Sequence, residues 1–294
     1  MFICFRMKLI DNYGRIVNGL RISVTQECNL NCIYCHREGI RESNGIMSAD
    51  RICAIVREGS KFGINKIKIT GGEPLIRRDI TDIISMISDI DGIEDLSMTT
   101  NGIFLEKHGY ELKEAGLNRV NISLDTLDKE IYSKITKSNP SNIEKVKNGL
   151  GIAIDSGLYP VKLNMVILKN LNDHSVQEMI NFARERKVML QLIELINRNS
   201  DLYVDLSKIE NELRRNATKI IEREMHKRKK YFVGTEVEVV RPHNPEFCMN
   251  CSRLRVTSDS RFKICLLRNE YINIDKDIGN SFIEAVRRRR PFIR

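Results

Sequence analysis

The sequence predicts an α/β fold: a partial, open barrel of six βα units, closed by a smaller C-terminal α+β domain. Strand-like and helix-like segments alternate between residues 19 and 196, with glycine or asparagine at the junctions. Such alternation is typical of a parallel sheet with its helices outside. Six units are too few for the eight strands of a closed barrel, so we expect an open one. The pattern changes after Asn197, which predicts one domain over residues 1–205 and a second over 206–294.

Each βα unit is identified from its own pattern. Strands are predicted where aliphatic and β-branched residues cluster, and helices where apolar residues recur every three to four positions. Ser48 offers a capping hydroxyl before the first helix, whose apolar face includes Ile52 and Val56. The predicted strands cover residues 20–25, 66–70, 95–100, 119–124, 161–168 and 188–195. The predicted helices cover residues 48–61, 79–90, 105–115, 142–156, 173–186 and 200–222, and strands are expected again at 231–241.

Composition and charge limit the classes of protein. The 294 residues are 41% hydrophobic, which is sufficient for a sizeable core. No segment approaches the roughly 18 apolar residues that a membrane span requires. The first residues include charges and no small-residue cleavage site, so we expect no signal peptide and a cytoplasmic location. The net charge of +9 suits a polyanionic partner, and the basic runs at residues 226–230 and 287–290 are expected to be solvated.

Three cysteines form the most informative motif of the chain. Cys28, Cys32 and Cys35 have C-x₃-C-x₂-C spacing in a loop after the first predicted strand. Three thiolates can bind three irons of a [4Fe–4S] cube and leave the fourth iron for another ligand, whereas structural metal sites are normally closed by four ligands. Tyr34 and the sequence GGEP at residues 71–74 accompany the motif. The pattern resembles that of radical S-adenosylmethionine enzymes, although a zinc knuckle that lacks one ligand is an alternative.

A second cysteine triplet lies near the C-terminus. Cys248 and Cys251 form C-x₂-C, and Cys265 follows after thirteen residues. Clustered cysteines in a long chain without an export signal indicate metal in a reducing compartment rather than disulfides. His243 could complete a Cys₃His zinc site, which is the alternative to a second iron–sulfur cluster.

The predicted strands end at chemically distinctive sequences. The first cysteine loop, the GGEP loop, Asn101 and Asp125 follow predicted strands, and Glu194 lies at the carboxyl end of one. In barrel-like α/β folds the chemistry lies in the loops after the carboxyl ends of the strands. The sequence therefore predicts that these motifs meet at one rim and form an active site there.

The wider sequence resembles the GTP 3′,8-cyclases, the family of radical S-adenosylmethionine enzymes that begins molybdenum cofactor biosynthesis. The resemblance rests on both cysteine spacings, on FCMNCSRLRVTSDSRFKICL around the second triplet, on KIKITGGEPLIRRD at residues 66–79 and on RVNISLDTL at residues 119–127. It covers nearly the whole chain. The family implies a radical S-adenosylmethionine partial barrel, followed by a C-terminal α+β iron–sulfur domain.

The resemblance implies a role for each matching residue. Two [4Fe–4S] clusters would be held by Cys28, Cys32, Cys35, Cys248, Cys251 and Cys265, with the open iron of the second cluster facing the guanine of GTP. S-adenosylmethionine would be bound by Tyr34, Gly71, Gly72, Glu73, Thr99, Asn121, Ser123 and Lys162. GTP would be bound by Arg21, Lys66, Lys68, Thr70, Arg253 and Arg255, and Arg21 would also act in catalysis. Strand alternation places Arg253 and Arg255 on one face, and their guanidinium forks suit phosphate oxygens.

The implied reaction is a radical cyclisation of GTP. In this family a 5′-deoxyadenosyl radical takes the 3′ hydrogen of the ribose, the carbon radical adds to C8 of guanine, and the resulting radical is reduced. The product is (8S)-3′,8-cyclo-7,8-dihydroguanosine 5′-triphosphate. The implied partners are GTP as substrate, a reducing electron donor and a downstream cyclic pyranopterin monophosphate synthase. No membrane partner is expected, and a homodimer stays open.

Three departures from the family pattern accompany the resemblance. Lys68 replaces a common arginine, and Gln191 replaces another, for which Arg198 is a candidate substitute. The sequence ends in RRRRPFIR, where the family often has two glycines that enter the active site. Two alternative functions therefore stay open: a radical S-adenosylmethionine enzyme that modifies a peptide or tRNA, and a non-enzymatic metal-cluster protein that binds nucleic acid.

Overall fold

The computed structural model describes residues 8–40 and 45–292, and the six predicted strands form one parallel sheet within them. A short antiparallel hairpin of β1 (Leu9–Ile10) and β2 (Ile16–Val17) precedes this sheet. The six strands are β3 (Gly19–Ser23), β4 (Lys66–Thr70), β5 (Asp95–Thr100), β6 (Arg119–Ser123), β7 (Lys162–Ile167) and β8 (Met189–Glu194). They pair in chain order from β3 to β8, which confirms the predicted six-stranded parallel core.

Helices connect the parallel strands. They are α1 (Ala49–Lys61), α2 (Ile80–Ser88), α3 (Leu105–Glu114), α4 (Lys129–Thr136), α5 (Asn142–Asp155) and α6 (Val176–Glu185). The predicted cap of α1 is confirmed, because Ser48 Oγ accepts a hydrogen bond from the Arg51 amide at 3.2 Å. Helix α4 was not predicted; it begins where Asp128 accepts hydrogen bonds from the Glu130 and Ile131 amides. In the described part of the chain, no helix combines the length and apolar character of a membrane span.

The chain after β8 extends both edges of the sheet. It contains α7 (Ser207–Asn216), β9 (Lys219–Glu222), β10 (Lys229–Phe232), β11 (Glu236–Val240), α8 (Pro245–Met249), β12 (Arg253–Val256), β13 (Arg261–Lys263), β14 (Tyr271–Asn273) and α9 (Ile278–Arg288). Strand β11 lies parallel to β8, and β12 lies parallel to β3 at the opposite edge. The result is an open twelve-stranded sheet bounded by β14 and β9. The boundary at residues 205 and 206 stays a prediction.

The predicted helix over residues 200–222 is wrong in its C-terminal part. Helix α7 ends at Asn216, and Lys219–Glu222 forms β9 instead. This strand pairs antiparallel with β10, where Lys219 lies opposite Phe232. Cross-strand pairing with a segment ten residues later outweighs the local helical pattern, which sequence periodicity does not register.

The two faces of the sheet differ in polarity. Leu20 and Ile22 on β3 are fully buried in the hydrophobic core, and the same holds for alternate residues of the neighbouring strands. The intervening residues face the other way because side chains alternate along a strand. Arg21 of β3 is the register partner of Lys68 on β4 and of Arg255 on β12. The inner face of the open barrel is therefore polar and cationic.

Candidate active site

A cavity of about 480 Å³ lies against the inner face of the sheet. Its lining comes from the parallel strands, from β11 and β12, from the turn at Met225–Lys227 and from the C-terminal residues up to Phe292. Among the described residues, the lining contains twelve lysine and arginine side chains and two carboxylates. A cavity with this imbalance attracts polyanions, because clefts lined by one sign of charge concentrate the field.

The first cysteine triplet lies in the loop after β3, as predicted. Cys28 and Cys35 are exposed, and Cys32 is partly buried. Burial raises the pKa of the Cys32 thiol, and the negative charges of Asp125, Cys35 and Cys28 raise it further. The three sulfurs are therefore close enough to repel one another as thiolates, and this donor set fits a cationic iron cluster.

The GGEP loop packs against this cysteine loop. The amide of Gly72 donates to the Thr25 carbonyl at 2.9 Å, and the amide of Glu73 donates to the Glu27 carbonyl at 2.8 Å. A Cβ at Gly71 or Gly72 would collide with these same carbonyl groups, so both positions require glycine. Because its amides are used internally, the loop offers carbonyl oxygens, which suit a ligand that donates hydrogen bonds such as an ammonium group.

The Glu73 side chain has a structural role in the same loop. Its carboxylate accepts hydrogen bonds from Thr100 Oγ1 at 2.7 Å, the Asn101 amide at 2.6 Å and the Leu75 amide at 3.0 Å. Burial raises its pKa to about 7, against the effect of these donors. The side chain joins the GGEP loop to the end of β5. Glu73 would therefore contact a cofactor through its backbone atoms.

The other predicted cofactor residues fall into two groups. Thr99, Asn121 and Lys162 line the cavity. Ser123 is partly buried at the end of β6 and is not among the cavity-lining residues. The hydroxyl of Tyr34 donates to Asp125 Oδ2 at 2.6 Å, which anchors the cysteine loop to the strand end after β6. Their roles toward a cofactor stay predictions.

All three cysteines of the second triplet line the cavity. Burial acts to raise the pKa of the Cys251 thiol, but the Arg253 and Arg289 guanidiniums outweigh it and the pKa is lowered. The thiolate, which is the metal-binding form, is thus favoured. The Nε2 atom of His243 lies 2.6 Å from the Ile196 carbonyl oxygen. No group of three or more His, Cys, Asp or Glu in residues 8–40 and 45–292 is arranged to hold a single metal ion, and this holds for both cysteine triplets, with or without His243.

Both basic runs are partly buried, contrary to the prediction that they are solvated; His226, Arg228 and Lys230 of the first run line the cavity. Arg289 is 2% exposed; its guanidinium donates to Asp11 Oδ2 at 2.8 Å and to the Cys251 carbonyl at 2.6 Å. Arg15 Nε donates to the same Asp11 oxygen at 2.8 Å, and its Nη1 donates to the Cys248 carbonyl at 3.0 Å. The two arginines thus hold the loop of the second triplet from both sides, with one carboxylate between them.

Phe292 places the end of the described chain at the same triplet. Its amide donates to Cys248 Sγ at 3.0 Å. Phe292 and Arg290 also line the cavity, so this segment contributes to the site although it contains no glycine.

The Asp11 contacts lead to a stability prediction. Asp11→Asn should lower the free energy of unfolding by about 3–5 kcal/mol, because it leaves two buried guanidiniums without a counter-ion. Urea unfolding of anaerobic protein measures the change. Glu144→Gln is the control, since Glu144 pairs with Lys147 on an exposed helix surface and such pairs contribute about 0.5 kcal/mol or less. Equal effects of the two substitutions would contradict the prediction.

Glu38 joins Arg21 and Arg255 of the cavity wall to Thr70, which is not among the cavity-lining residues. Its Oε2 accepts from Arg21 Nε at 2.9 Å and from Arg255 Nη1 at 2.6 Å. Its Oε1 accepts from Arg21 Nη2 at 2.5 Å and from Thr70 Oγ1 at 2.9 Å. Burial acts to raise the pKa of Glu38. The Arg21 and Arg255 guanidiniums outweigh this effect and hold the pKa far below its usual value. Sequence reasoning missed this residue, whose only signal was its position three residues after Cys35.

Glu238 on β11 is a second buried carboxylate among cations. Its oxygens accept from Lys162 Nζ at 2.9 Å and from Gln191 Nε2 at 2.8 Å, and it pairs with Arg223 and Arg228 at 2.8 and 3.1 Å. The proposed compensation for Gln191 by Arg198 is wrong, because Arg198 lies over the Tyr203 ring and does not line the cavity. Arg223 and Arg228 supply the positive charge beside Gln191.

Two cations of the cavity have no ion pair with a carboxylate of the described chain. These are Lys68, whose Nζ donates to Asn121 Oδ1 at 3.2 Å, and Arg253, which contacts the His226 ring at 3.3 Å. Burial lowers the pKa of Lys68 well below its usual value, and burial lowers that of Arg253 to about 9. Burial thus disfavours the charged form of each side chain, and a bound anion would offset this desolvation free energy. Lys66 is exposed at the start of β4 and is not among the cavity-lining residues.

Comparisons with known proteins show the family of the chain. The family model described as Radical SAM superfamily matches residues 22–183, and the model described as Molybdenum Cofactor Synthesis C matches residues 188–289. A protein of Methanosarcina mazei named probable GTP 3′,8-cyclase is 46% identical over 97% of this chain and 90% of its own length. A protein of Archaeoglobus fulgidus with the same name is also 46% identical, over 97% of this chain and 99% of its own. The chain belongs to the GTP 3′,8-cyclase family. The predicted resemblance is therefore confirmed.

Solved structures support the fold of this GTP 3′,8-cyclase family member. Streptococcus suis SuiB matches 92% of this chain and 67% of its own with a TM-score of 0.68 and 17% identity. The protein anSMEcpe with bound AdoMet matches 90% of this chain and 80% of its own with a TM-score of 0.66 and 16% identity. At such identities the likeness concerns the fold alone, and it confirms the predicted open α/β barrel.

Proposed function

We propose that the chain is a radical S-adenosylmethionine enzyme that cyclises GTP to (8S)-3′,8-cyclo-7,8-dihydroguanosine 5′-triphosphate, the first step of molybdopterin cofactor biosynthesis. One observation carries the proposal: Lys68 and Arg253, which have no ion pair with a carboxylate of the described residues, lie in a cavity bordered by the segments of both cysteine triplets. A nucleoside triphosphate supplies the negative charge that these cations lack. Membership in the GTP 3′,8-cyclase family agrees with this substrate.

The donor sets of the two triplets fit two [4Fe–4S] clusters. Cys28, Cys32 and Cys35 would hold the first cluster, which together with S-adenosylmethionine supplies a 5′-deoxyadenosyl radical. The carbonyls of the Gly71–Glu73 loop would accept hydrogen bonds from the cofactor's amino group. The second triplet would hold a cluster that meets guanine, on the cavity wall that bears Arg253 and Arg255. In this arrangement the chain orients the ribose toward the first site and fixes the base at the second.

The partners of the enzyme follow from the reaction. A reducing electron donor must supply electrons to the first site, and a cyclic pyranopterin monophosphate synthase would consume the product. A homodimer is compatible with the proposal. The alternative substrates, a peptide or tRNA, gain no support from a cavity whose cations surround a space of about 480 Å³.

The proposal is tested with anaerobically reconstituted protein. We expect about eight irons per chain, as two cubes require. GTP should bind in preference to ATP, and mass spectrometry should detect the cyclised triphosphate together with 5′-deoxyadenosine. Equal use of ATP, or iron sufficient for one cluster only, would contradict the proposal.

Arg21→Ala should separate chemistry from binding. Arg21 lies on the inner face of β3, away from the hydrophobic core, so we expect the variant to keep both clusters. Cyclised product should fall by about a hundredfold or more, the usual effect of removing one preorganised charged donor, while GTP binding changes much less. Iron analysis, GTP titration and product quantification distinguish these outcomes. Loss of iron or of folding would instead make Arg21 a structural residue.

A further inference from the structure

Three cations lie side by side on adjacent parallel strands of the cavity wall. Arg255 on β12 is the register partner of Arg21 on β3, which is the register partner of Lys68 on β4. Neighbouring strands are about 4.8 Å apart, and like charges directly opposite one another are destabilising. One carboxylate, that of Glu38, bridges the first two cations, whereas Lys68 has no ion pair with a carboxylate in residues 8–40 and 45–292. In this row of three cations, Glu38 is the anion that the protein supplies, and the position beside Lys68 is suited to an anionic ligand.

The backbone around Glu38 has an uncommon conformation. Arg37 and Glu38 have φ angles of +48° and +55°, in the left-handed region that residues with a Cβ rarely adopt. Two such residues in succession persist only where surrounding contacts fix them. The hydrogen bonds of Glu38 to Arg21, Arg255 and Thr70 are those contacts. Side chain and backbone thus specify one position for this carboxylate.

Glu38 also connects the two cysteine segments. It follows Cys35 by three residues, and its partner Arg255 follows Cys251 by four. The carboxylate occupies the Nε and Nη2 donors of Arg21 and the Nη1 donor of Arg255. The remaining donors of both guanidiniums are thereby held in fixed directions on the cavity wall.

We propose that Glu38 is a positioning residue that orients Arg21 and Arg255 for the nucleotide and couples the segment after the first cysteine triplet to the strand after the second. The proposal rests on the proposed function and adds a residue to it. Glu38 competes with phosphate for the same two arginines, so it lowers affinity for GTP while it raises the precision of the bound geometry. When the charge of Glu38 is removed, the affinity for GTP should therefore not fall, whereas the ratio of cyclised product to 5′-deoxyadenosine should fall.

The test is Glu38→Gln in protein loaded with both clusters. GTP affinity, measured by calorimetric titration under anaerobic conditions, should stay equal or increase by up to about tenfold, because a competing charge is gone. The ratio of cyclised product to 5′-deoxyadenosine should fall by about tenfold or more, because the arginines are no longer fixed. Glu38→Asp, which keeps the charge on a shorter side chain, should recover part of the ratio. Glu144→Gln is the control and should match the wild type.

Each outcome decides the matter. A wild-type product ratio in Glu38→Gln overturns the inference, and so does weaker GTP binding at any product ratio. If Glu38→Gln holds less iron than the wild type, Glu38→Asp carries the test: it should keep its iron and give a ratio below that of the wild type, and an unchanged ratio overturns the inference. A wild-type protein that makes no cyclised product overturns the proposed function and this inference with it.

Discussion

Replacing Cys28, Cys32 and Cys35 together by alanine is expected to halve the iron content and to abolish reductive cleavage of S-adenosylmethionine. The three cysteines lie in a loop of their own after β3, so the second triplet should still assemble its cluster. Iron analysis and 5′-deoxyadenosine quantification measure the two effects. The expected loss of cleavage is complete, because in the proposed enzyme the remaining cluster does not bind the cofactor.

The matched control is the triple replacement of Cys248, Cys251 and Cys265. This variant should also lose half of the iron, but it should keep some cleavage of S-adenosylmethionine that is not coupled to cyclised product. The two triplets lie in separate segments and are joined through Glu38 and Arg255, not through shared ligands. Zinc in place of iron at the second triplet, in protein purified without oxygen, would refute the two-cluster assignment.

The parallel core of the fold was predictable because its signals are local. Each strand from β3 to β8 has buried apolar residues at alternate positions, such as Leu20 and Ile22 of β3 or Leu96 and Met98 of β5, and their burial decides its position. The additional strands at both edges of the sheet were not predictable in their placement. Strand β11 pairs with β8 and β12 pairs with β3, although the two are adjacent in sequence. Which edge a strand joins depends on tertiary contacts that no local pattern records.

The residues of the site divide in the same way. Motifs identified the two cysteine triplets, GGEP and the arginines after Cys251, because metal and cofactor chemistry restricts residue type and spacing. The carboxylates that organise the cations were missed. Each of them pairs with at least one cation far along the chain, Asp11 with Arg289, Glu38 with Arg255 and Glu238 with Lys162, and single acidic residues give no pattern. Arg289 was missed for a related reason, since it lies in a run of arginines whose other members are exposed.

Because of these carboxylates, we expect Arg253 and Arg255 to differ in their contribution to GTP affinity. Arg253 has no ion pair with a carboxylate in the described chain, whereas Arg255 pairs with Glu38 at 2.6 Å. Charge-assisted hydrogen bonds typically contribute about 1.5–3 kcal/mol, so Arg253→Ala should weaken GTP binding by roughly ten- to a hundredfold. Arg255→Ala should have a smaller effect, because one of its donors already serves Glu38.

Titrations with two ligands identify what Arg253 contacts. Weakening that is greater for GTP than for guanosine indicates a phosphate contact, and equal weakening indicates the base or the sugar. Arg253→Lys should restore only part of the affinity, because an ammonium keeps the charge but loses the planar fork. A larger loss in Arg255→Ala than in Arg253→Ala would show that the uncompensated charge does not mark the subsite. Unchanged GTP affinity in both alanine variants would remove the main support for a nucleotide site on this wall of the cavity.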